Sequence, residues 1–151
     1  MRALAFGFAA AVLAAPAAAG MRQPSPDLTP REVVTIQVQA LKTNDTPKPD
    51  AGIARTWAFA HPRNKAQTGP LPRFAAMIKS PRYNALLDHA RHKITRLARG
   101  EGTAVFAVRV TAAGGEVVRY RWRVAKVAEG EHAGAWMTAM VSAPQDAGDA
   151  I

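Results

Sequence analysis

Two runs of alternating apolar and polar residues, separated by Gly114-Gly115, are the strongest pattern in the chain. Their apolar positions are Ala104, Phe106, Val108 and Val110 in the first run, and Val118, Tyr120, Trp122 and Val124 in the second. Because side chains alternate across a strand, each run offers one apolar face to a core. A glycine pair between two such runs is typical of a hairpin turn. The pattern predicts an antiparallel hairpin within residues 103–127, with one face buried and the other exposed to solvent.

The stretch Thr29-Pro30-Arg31-Glu32 indicates the start of a first helix. Threonine can cap the helix, proline suits its first position, and Glu32 completes a capping box. An apolar stripe at helical spacing follows, formed by Val33, Ile36, Gln37, Ala40 and Leu41. The helix is predicted to end near Asn44-Asp45, before a loop over 46–52 that holds two prolines and a glycine.

Two shorter helices are predicted next. The second helix covers 53–60 and ends at His61-Pro62, because the residue before a proline leaves the helical region. Residues 63–69 are predicted to be a polar loop. The third helix begins at residue 70 or 71, ends at Ser80-Pro81, and has a buried face formed by Phe74, Met77 and Ile78.

Residues 84–99 fit both a helix and a strand, and periodicity alone does not decide between them. We assign a strand to 91–99, because the hairpin needs a neighbour to be stable in water. A turn over 128–134 then leads to a last strand over 135–141. This strand is apolar on both faces, which predicts a central or covered position. Residues 144–151 are predicted to be a disordered tail.

Composition indicates one globular domain: 151 residues, 48% hydrophobic and 21% charged, without cysteine. Residues 1–19 combine a basic start, an apolar stretch and an alanine-rich end, which predicts a secretory signal peptide cut near Ala19. A periplasmic or secreted location follows, or a plastid lumen if the source is an alga. The alternative is a disordered alanine-rich tail, with Met21 as the true start. After cleavage of the signal peptide, an extended lead-in over 20–28 is predicted to precede a single domain over 29–143.

The chain is strongly basic, with a formal net charge of +9 that is mostly due to arginine. Such a charge allows binding to nucleic acid, to anionic lipid or to an acidic polymer. Export makes nucleic acid the least favoured of these partners.

Several segments resemble an uncharacterised branch of the nuclear transport factor 2-like superfamily. They are VQALKTND at 38–45, WAFA at 57–60, GPLPRF at 69–74, MIKSPRYNALL at 77–87 and GAWMT at 134–138. The resemblance covers residues 29–143. It implies an α+β cone, in which three N-terminal helices pack on a bent antiparallel sheet of about four strands. One departure from the common pattern is the lack of a convincing strand between the second and third helices.

The resemblance also implies a pocket at the wide end of the cone. Cofactor-free isomerases, dehydratases and hydrolases share this fold with transport and scaffold proteins, so the fold does not give the function. The candidates for lining an apolar pocket are Trp57, Phe59, Phe74, Tyr120, Trp122 and Trp136. Aromatic residues of this kind are also the usual content of a core.

Isomerase chemistry requires a carboxylate base and an acid that donates to an oxyanion in an apolar site. Tyr83 and Tyr120 are the candidate donors, and Asp45 and Asp88 are the candidate bases. We expect the Tyr120 hydroxyl to meet a backbone partner in the core, and Asp45 to form a turn. No catalytic residue is assigned.

The histidines do not indicate a metal site. His89 and His92 could face one way on a helix or opposite ways on a strand, but a third ligand is missing. We therefore expect solvated surface histidines. The sequence predicts neither a metal nor a cofactor.

Arg119, Arg121 and Arg123 alternate with the apolar positions of the hairpin, and Arg109 lies off the apolar face of the neighbouring strand. A solvated outer sheet face is one interpretation. The other is an anionic partner, either a charged surface or an acidic protein.

Three functions remain open at this point. The first is a small exported binding or accessory domain, with an apolar pocket in the cone and a basic sheet face. The second is a cofactor-free enzyme acting on a small apolar ligand. The third is a structural module that forms a homodimer through its sheet face.

Overall fold

Helices come first and strands come last in the computed structural model, which describes residues 21–146. The helices are α1 (Pro30–Lys42), α2 (Ala51–Ala58), α3 (Pro62–Thr68) and α4 (Leu71–Ile78). A short 3-10 turn at Asn84–Leu86 precedes the strands β1 (Arg91–Arg99), β2 (Thr103–Thr111), β3 (Val117–Lys126), β4 (Trp136–Val141) and β5 (Gln145–Asp146). The predicted α+β class with segregated elements is confirmed for these residues. The predicted signal peptide lies outside them.

The strands form an open antiparallel sheet in the order β1-β2-β3-β4, and β5 pairs with β3 beside β4. The hairpin register is regular, with Phe106 opposite Trp122 and Val108 opposite Tyr120. The predicted strand over 91–99 is also confirmed, and it pairs with β2. Of the two positions predicted for the last strand, central or covered, β4 does not take the central one, because it is the last member of the main strand order. It takes the covered one. Its free edge is partly covered, since Ala60 bridges to Thr138 in parallel.

The core lies between the helices and one face of the sheet. The predicted apolar positions of the hairpin all point inward and are at most 7% exposed. They meet α1, whose buried side includes Val33, Val34, Val38 and Leu41. The predicted capping box is present, because the Thr29 side chain accepts from the Glu32 amide and Glu32 accepts from the Thr29 amide. The alternating pattern therefore identified the buried face correctly.

The buried side chain of Asn44 organises the turn from α1 to α2. Its amide nitrogen donates to the carboxylates of Asp45 and Asp50, and its carbonyl oxygen accepts from the Ile53 amide. Asp45 is thus a turn former, as expected. Gly52 packs so closely on α1 that a Cβ there would clash with the backbone of Ala40 and Asn44. This contact explains why a glycine begins the buried side of α2.

Two local predictions need correction. Residues 63–69, predicted as a loop, contain α3, because the His61 ring accepts from the Arg63 amide at its start and Gly69 ends it at φ 80°. The described helices therefore number four, not the three predicted. The predicted disordered tail begins with β5, which is held by pairing with Val118 and Arg119 of β3. The rest of that tail, 147–151, lies outside the described residues.

Among the described residues, none of the helices has the length and apolar character needed to cross a membrane.

Candidate functional site

A cavity of about 190 Å³ lies between the helices and β4. All four helices, the 3-10 turn and residues next to them contribute to its wall. These residues are Gln37, Thr56, Ala60, Asn64, Gln67, Thr68, Phe74, Met77, Ile78, Tyr83 and Leu86. The sheet contributes Trp122, Thr138, Ala139, Met140 and Val141. Gln67 and Met140 are exposed, so the cavity opens to solvent at this end.

A cluster of hydrogen-bonded polar side chains forms the buried floor of this cavity. The Gln37 carbonyl oxygen accepts from the Trp122 indole N–H at 2.9 Å and from the Thr138 hydroxyl. The Thr138 oxygen also accepts from the same indole N–H at 3.1 Å. The Gln37 amide nitrogen donates to the Thr56 carbonyl at 3.0 Å. A primary amide carries two N–H groups, so Gln37 retains one donor that the described residues do not use.

The other polar groups of the cavity lie along its wall. The Tyr83 hydroxyl donates to the Val141 carbonyl at 3.2 Å, which leaves its oxygen free to accept a hydrogen bond. The Asn64 side chain donates to the Thr138 carbonyl at 3.1 Å and ties α3 to β4 near the opening. Tyr83 is the only ionisable residue among those that line the cavity.

Of the six predicted pocket residues, two line the cavity and four do not. Phe74 and Trp122 line the cavity. Phe59 and Tyr120 are packed in the core. The Lys65 ammonium lies over the Trp57 ring, with its nitrogen 4.2 Å from the ring centroid. Trp136 contacts two cations, with Arg99 at 5.3 Å and Lys126 at 5.4 Å from its ring centroid.

Of the residues considered for isomerase chemistry, the two tyrosines lie together, with ring centroids 6.0 Å apart, but the candidate bases do not join Tyr83 in the cavity. The Tyr120 hydroxyl donates to the Arg82 carbonyl at 3.3 Å, and burial raises the pKa of Tyr120 to about 12. The Asp88 carboxylate accepts a hydrogen bond from the backbone N–H of Asn44, and the Asp45 carboxylate accepts one from the backbone N–H of Asp50. Neither carboxylate lines the cavity. The expected backbone partner of Tyr120 is thus present.

The prediction that the histidines are all solvated is wrong for His89, which is 2% exposed. Its Nδ1 lies 2.7 Å from the Leu86 carbonyl, and its Nε2 lies 2.8 Å from His92 Nδ1. A carbonyl only accepts, so His89 Nδ1 donates, and His92 Nδ1 must donate to His89 Nε2. The two rings meet because residues 87–90 are neither helix nor strand, and Asp88 turns the chain at φ 53°.

The histidine pair predicts a loss of stability in mild acid. Burial is the main cause that lowers the pKa of His89 and of His92 from the ordinary 6.5, with Lys42 adding to the effect on both and Asp88 opposing it for His89. The unfolded chain therefore binds more protons just below pH 6.5. We expect the free energy of unfolding to be highest above that pH and to fall as the pH drops through it, by at most about 1.4 kcal/mol per pH unit for each histidine.

Urea denaturation between about pH 5 and pH 7 measures this slope, in a window above the usual titration of carboxylates. Replacing both histidines by glutamine should reduce the slope, and the part that remains includes His61, whose pKa is also lowered, mainly by burial. An unchanged slope in the double variant would contradict the prediction.

The predicted arginine ladder lies on the outer face of the sheet, away from the helices. Exposed basic residues on this face come from three strands, and we call the set the cationic face: Arg91, Lys93, Arg109, Arg119, Arg121 and Arg123. Lys93 is directly opposite Arg109, which is directly opposite Arg119. The two ion pairs that the described residues form, Arg22–Glu32 and Lys79–Asp50, both lie elsewhere.

This row of like charges predicts that a cation can be removed with a gain in stability. Like charges directly opposite each other on a sheet destabilise it, and Arg119 faces Arg109 whereas Arg121 faces Ala107. Arg119→Thr should therefore raise the free energy of unfolding by about 0.2–1 kcal/mol at low salt. The gain should shrink at about 1 M salt, where charges are screened beyond about 3 Å. Arg121→Thr is the control, and an equal gain from it would count against the explanation.

In the part of the chain that the structure describes, no three histidine, cysteine or carboxylate side chains are grouped to hold a metal ion. Comparisons of the chain with models of protein families, with curated proteins and with solved structures found no match. The resemblance to the nuclear transport factor 2-like superfamily therefore stays a prediction.

Sequence reasoning missed Gln37 and Thr138 as site residues. A weak signal exists, because Gln37 lies within the apolar stripe of α1 and Thr138 lies within an otherwise apolar strand. A polar residue at a buried position needs a hydrogen-bond partner. The sequence does not identify that partner, since Gln37 and Thr138 are 101 residues apart.

Proposed function

We propose that this protein binds a small, mostly apolar molecule with one hydrogen-bond acceptor, in the cavity between the helices and β4. The observation that carries the proposal is an open apolar cavity whose floor has a spare donor on Gln37. Sites for small molecules usually have this composition, with apolar walls and few polar groups that fix orientation.

The size of the cavity limits the ligand. An engineered protein cavity of about 150 Å³ lined by Leu, Ile and Phe binds benzene, and the present cavity measures about 190 Å³. A single ring with a carbonyl or hydroxyl oxygen fits this volume. The oxygen would accept from Gln37, and the ring would contact Phe74, Met77 and Ile78.

The family resemblance and export belong to the same proposal. A cone of the nuclear transport factor 2-like type is consistent with helices packed on one face of an open antiparallel sheet. Export would follow from a cleaved signal peptide over 1–19, which N-terminal sequencing of native protein tests. An accessory domain that carries or senses a small molecule outside the cytoplasm is the function that these features favour.

Titration of the protein with cyclohexanone and with methylcyclohexane tests ligand binding. The two probes have similar bulk, but only the ketone can accept from Gln37. We expect the ketone to bind more tightly, and its binding to shift the NMR signals of the Trp122 indole N–H and the Thr138 amide. If neither probe shifts these signals, the result would contradict the proposed function.

Two variants change the cavity in opposite directions. Ala60→Leu adds bulk to the buried wall and should abolish the shifts, whereas Met77→Ala enlarges the cavity and should admit larger cyclic ketones. The control is Ala76→Leu, on the exposed side of α4, which should bind as the parent does. Binding that survives Ala60→Leu in a folded protein would place the probe elsewhere and overturn the proposal.

A further inference from the structure

The outer face of the sheet has a charge distribution that folding does not require. At the outward positions of β1, β2 and β3, the six residues of the cationic face are accompanied by no aspartate or glutamate. Lys93, Arg109 and Arg119 form a row of directly opposed cations across three strands, which costs stability. An outer face that only had to be solvated would be equally polar if it carried both acidic and basic residues. The arrangement is one that an anionic partner would stabilise.

The chemistry of this face favours phosphate groups. Five of its six cations are arginine, whose planar guanidinium binds phosphate oxygens in pairs, which a lysine ammonium does not do. Arg119, Arg121 and Arg123 alternate along β3, so their Cβ atoms repeat about every 6.6–6.8 Å. This repeat is shorter than the screening length of about 8 Å at physiological salt, so the charges act jointly on a partner.

Exposed apolar side chains lie next to these cations. Leu97 is 53% exposed and is the extra residue of a bulge in β1, and Met140 of β4 is 45% exposed and lies opposite Arg123. Together with Ala98, Val105, Arg121 and Arg123 they line one shallow hollow on the outer face. Both residues could enter the apolar layer below a set of phosphate groups.

We propose that the cationic face docks the protein on the surface of a bilayer that contains anionic phospholipid, with Leu97 and Met140 inserted between the headgroups. Basic residues near an anionic membrane and inserted apolar side chains add to each other in such peripheral binding.

Two other occupants fit the face less well. A second copy of the chain would bring one cationic face against another, and like charges oppose this contact. A single-stranded nucleic acid would require aromatic side chains on which bases stack, and the outward positions of the described strands carry none. The experiments below distinguish a second copy of the chain and a nucleic acid from a membrane.

Sedimentation with vesicles tests the docking. The probes are vesicles of phosphatidylcholine alone and vesicles in which a third of this lipid is replaced by phosphatidylglycerol. We expect binding only to the anionic vesicles at about 0.1 M salt, and much weaker binding at about 1 M salt. Equal binding to both kinds of vesicle, or to neither, would overturn the proposal.

A triple variant locates the binding surface. Changing Arg119, Arg121 and Arg123 to glutamine should weaken vesicle binding roughly 100-fold, since each basic residue near an anionic surface contributes about fivefold. The matched control removes the same charge from exposed residues beyond the sheet, by changing Lys48, Arg73 and Arg82 to glutamine. The control should bind within about threefold of the parent, because its three cations belong to helices and turns and not to the outward positions of the strands. If both triple variants lose affinity equally, binding depends on net charge alone and the proposed face is wrong.

The apolar contribution is tested separately. Leu97→Ser should remove the binding that persists at high salt, whereas Met21→Ser, which changes a 65% exposed methionine that does not line this hollow, should not. Binding to soluble polyglutamate or to a short DNA oligonucleotide, without binding to vesicles, would replace the membrane by another polyanion. A parent dimer that becomes monomeric in the arginine triple variant would instead assign the face to a subunit interface. Either result overturns the proposal without affecting the cavity.

Discussion

Replacing Trp122 by alanine should lower the free energy of unfolding by about 3–5 kcal/mol. Trp122 is 1% exposed and is among the largest buried side chains of the described residues. It packs opposite Phe106 on the inner face of the sheet, and its indole N–H is hydrogen-bonded to Gln37 and Thr138. Truncation would therefore leave a cavity and would also remove a partner from two buried polar groups. The midpoint of urea denaturation, with its slope, measures the loss.

The neighbouring Arg121 is the matched control, because it lies on the same strand but points to the outer face. Arg121→Ala should change the free energy of unfolding by no more than about 0.5 kcal/mol. The reverse order of the two effects would mean that the assigned faces of β3 are inverted.

Replacing both Gln37 and Thr138 by apolar residues should lower the free energy of unfolding by more than the loss of their own contacts accounts for. In Gln37→Leu the Trp122 N–H retains the Thr138 oxygen, and in Thr138→Val it retains the Gln37 oxygen. In the double variant, none of these acceptors remains. A buried donor without a partner costs about 1–3 kcal/mol.

The cost of this unpaired donor can be isolated with Trp122→Phe, which has no N–H. That substitution should be about 1–3 kcal/mol less destabilising in the double variant than in the parent protein. Urea denaturation of the four proteins measures the difference. An equal cost in the two backgrounds would show that Trp122 obtains another acceptor when both partners are removed.

The faces of the hairpin were predictable because a strand alternates its side chains, whatever surrounds it. The same local rule identified Trp122 as inward and Arg121 as outward. The start of α1 was equally local, since a capping box involves residues three positions apart. The helix α3 was missed although His61-Pro62 and Gly69 mark its ends, because the polar residues between them suggested a loop.

The candidate site could be predicted only in part. Phe74 and Trp122 were recognised as large apolar side chains, but the sequence does not distinguish a wall of a cavity from a filled core. The difference depends on where the helices and β4 leave space, which is a property of the packing of distant segments. The same holds for the histidine pair, since its geometry depends on a turn at Asp88 that follows no periodic pattern.

The sequence by itself determined which residues form strands in the hairpin, which of their faces is buried, where α1 begins, and that the exposed face of β3 is cationic. Each of these follows from residues that are neighbours along the chain. The tertiary structure alone decided that Lys93, Arg109 and Arg119 form one row, that Gln37 meets Trp122 and Thr138, and that a cavity remains above them. These features join positions up to 101 residues apart, and their relation depends on strand register and helix packing, which no local pattern encodes.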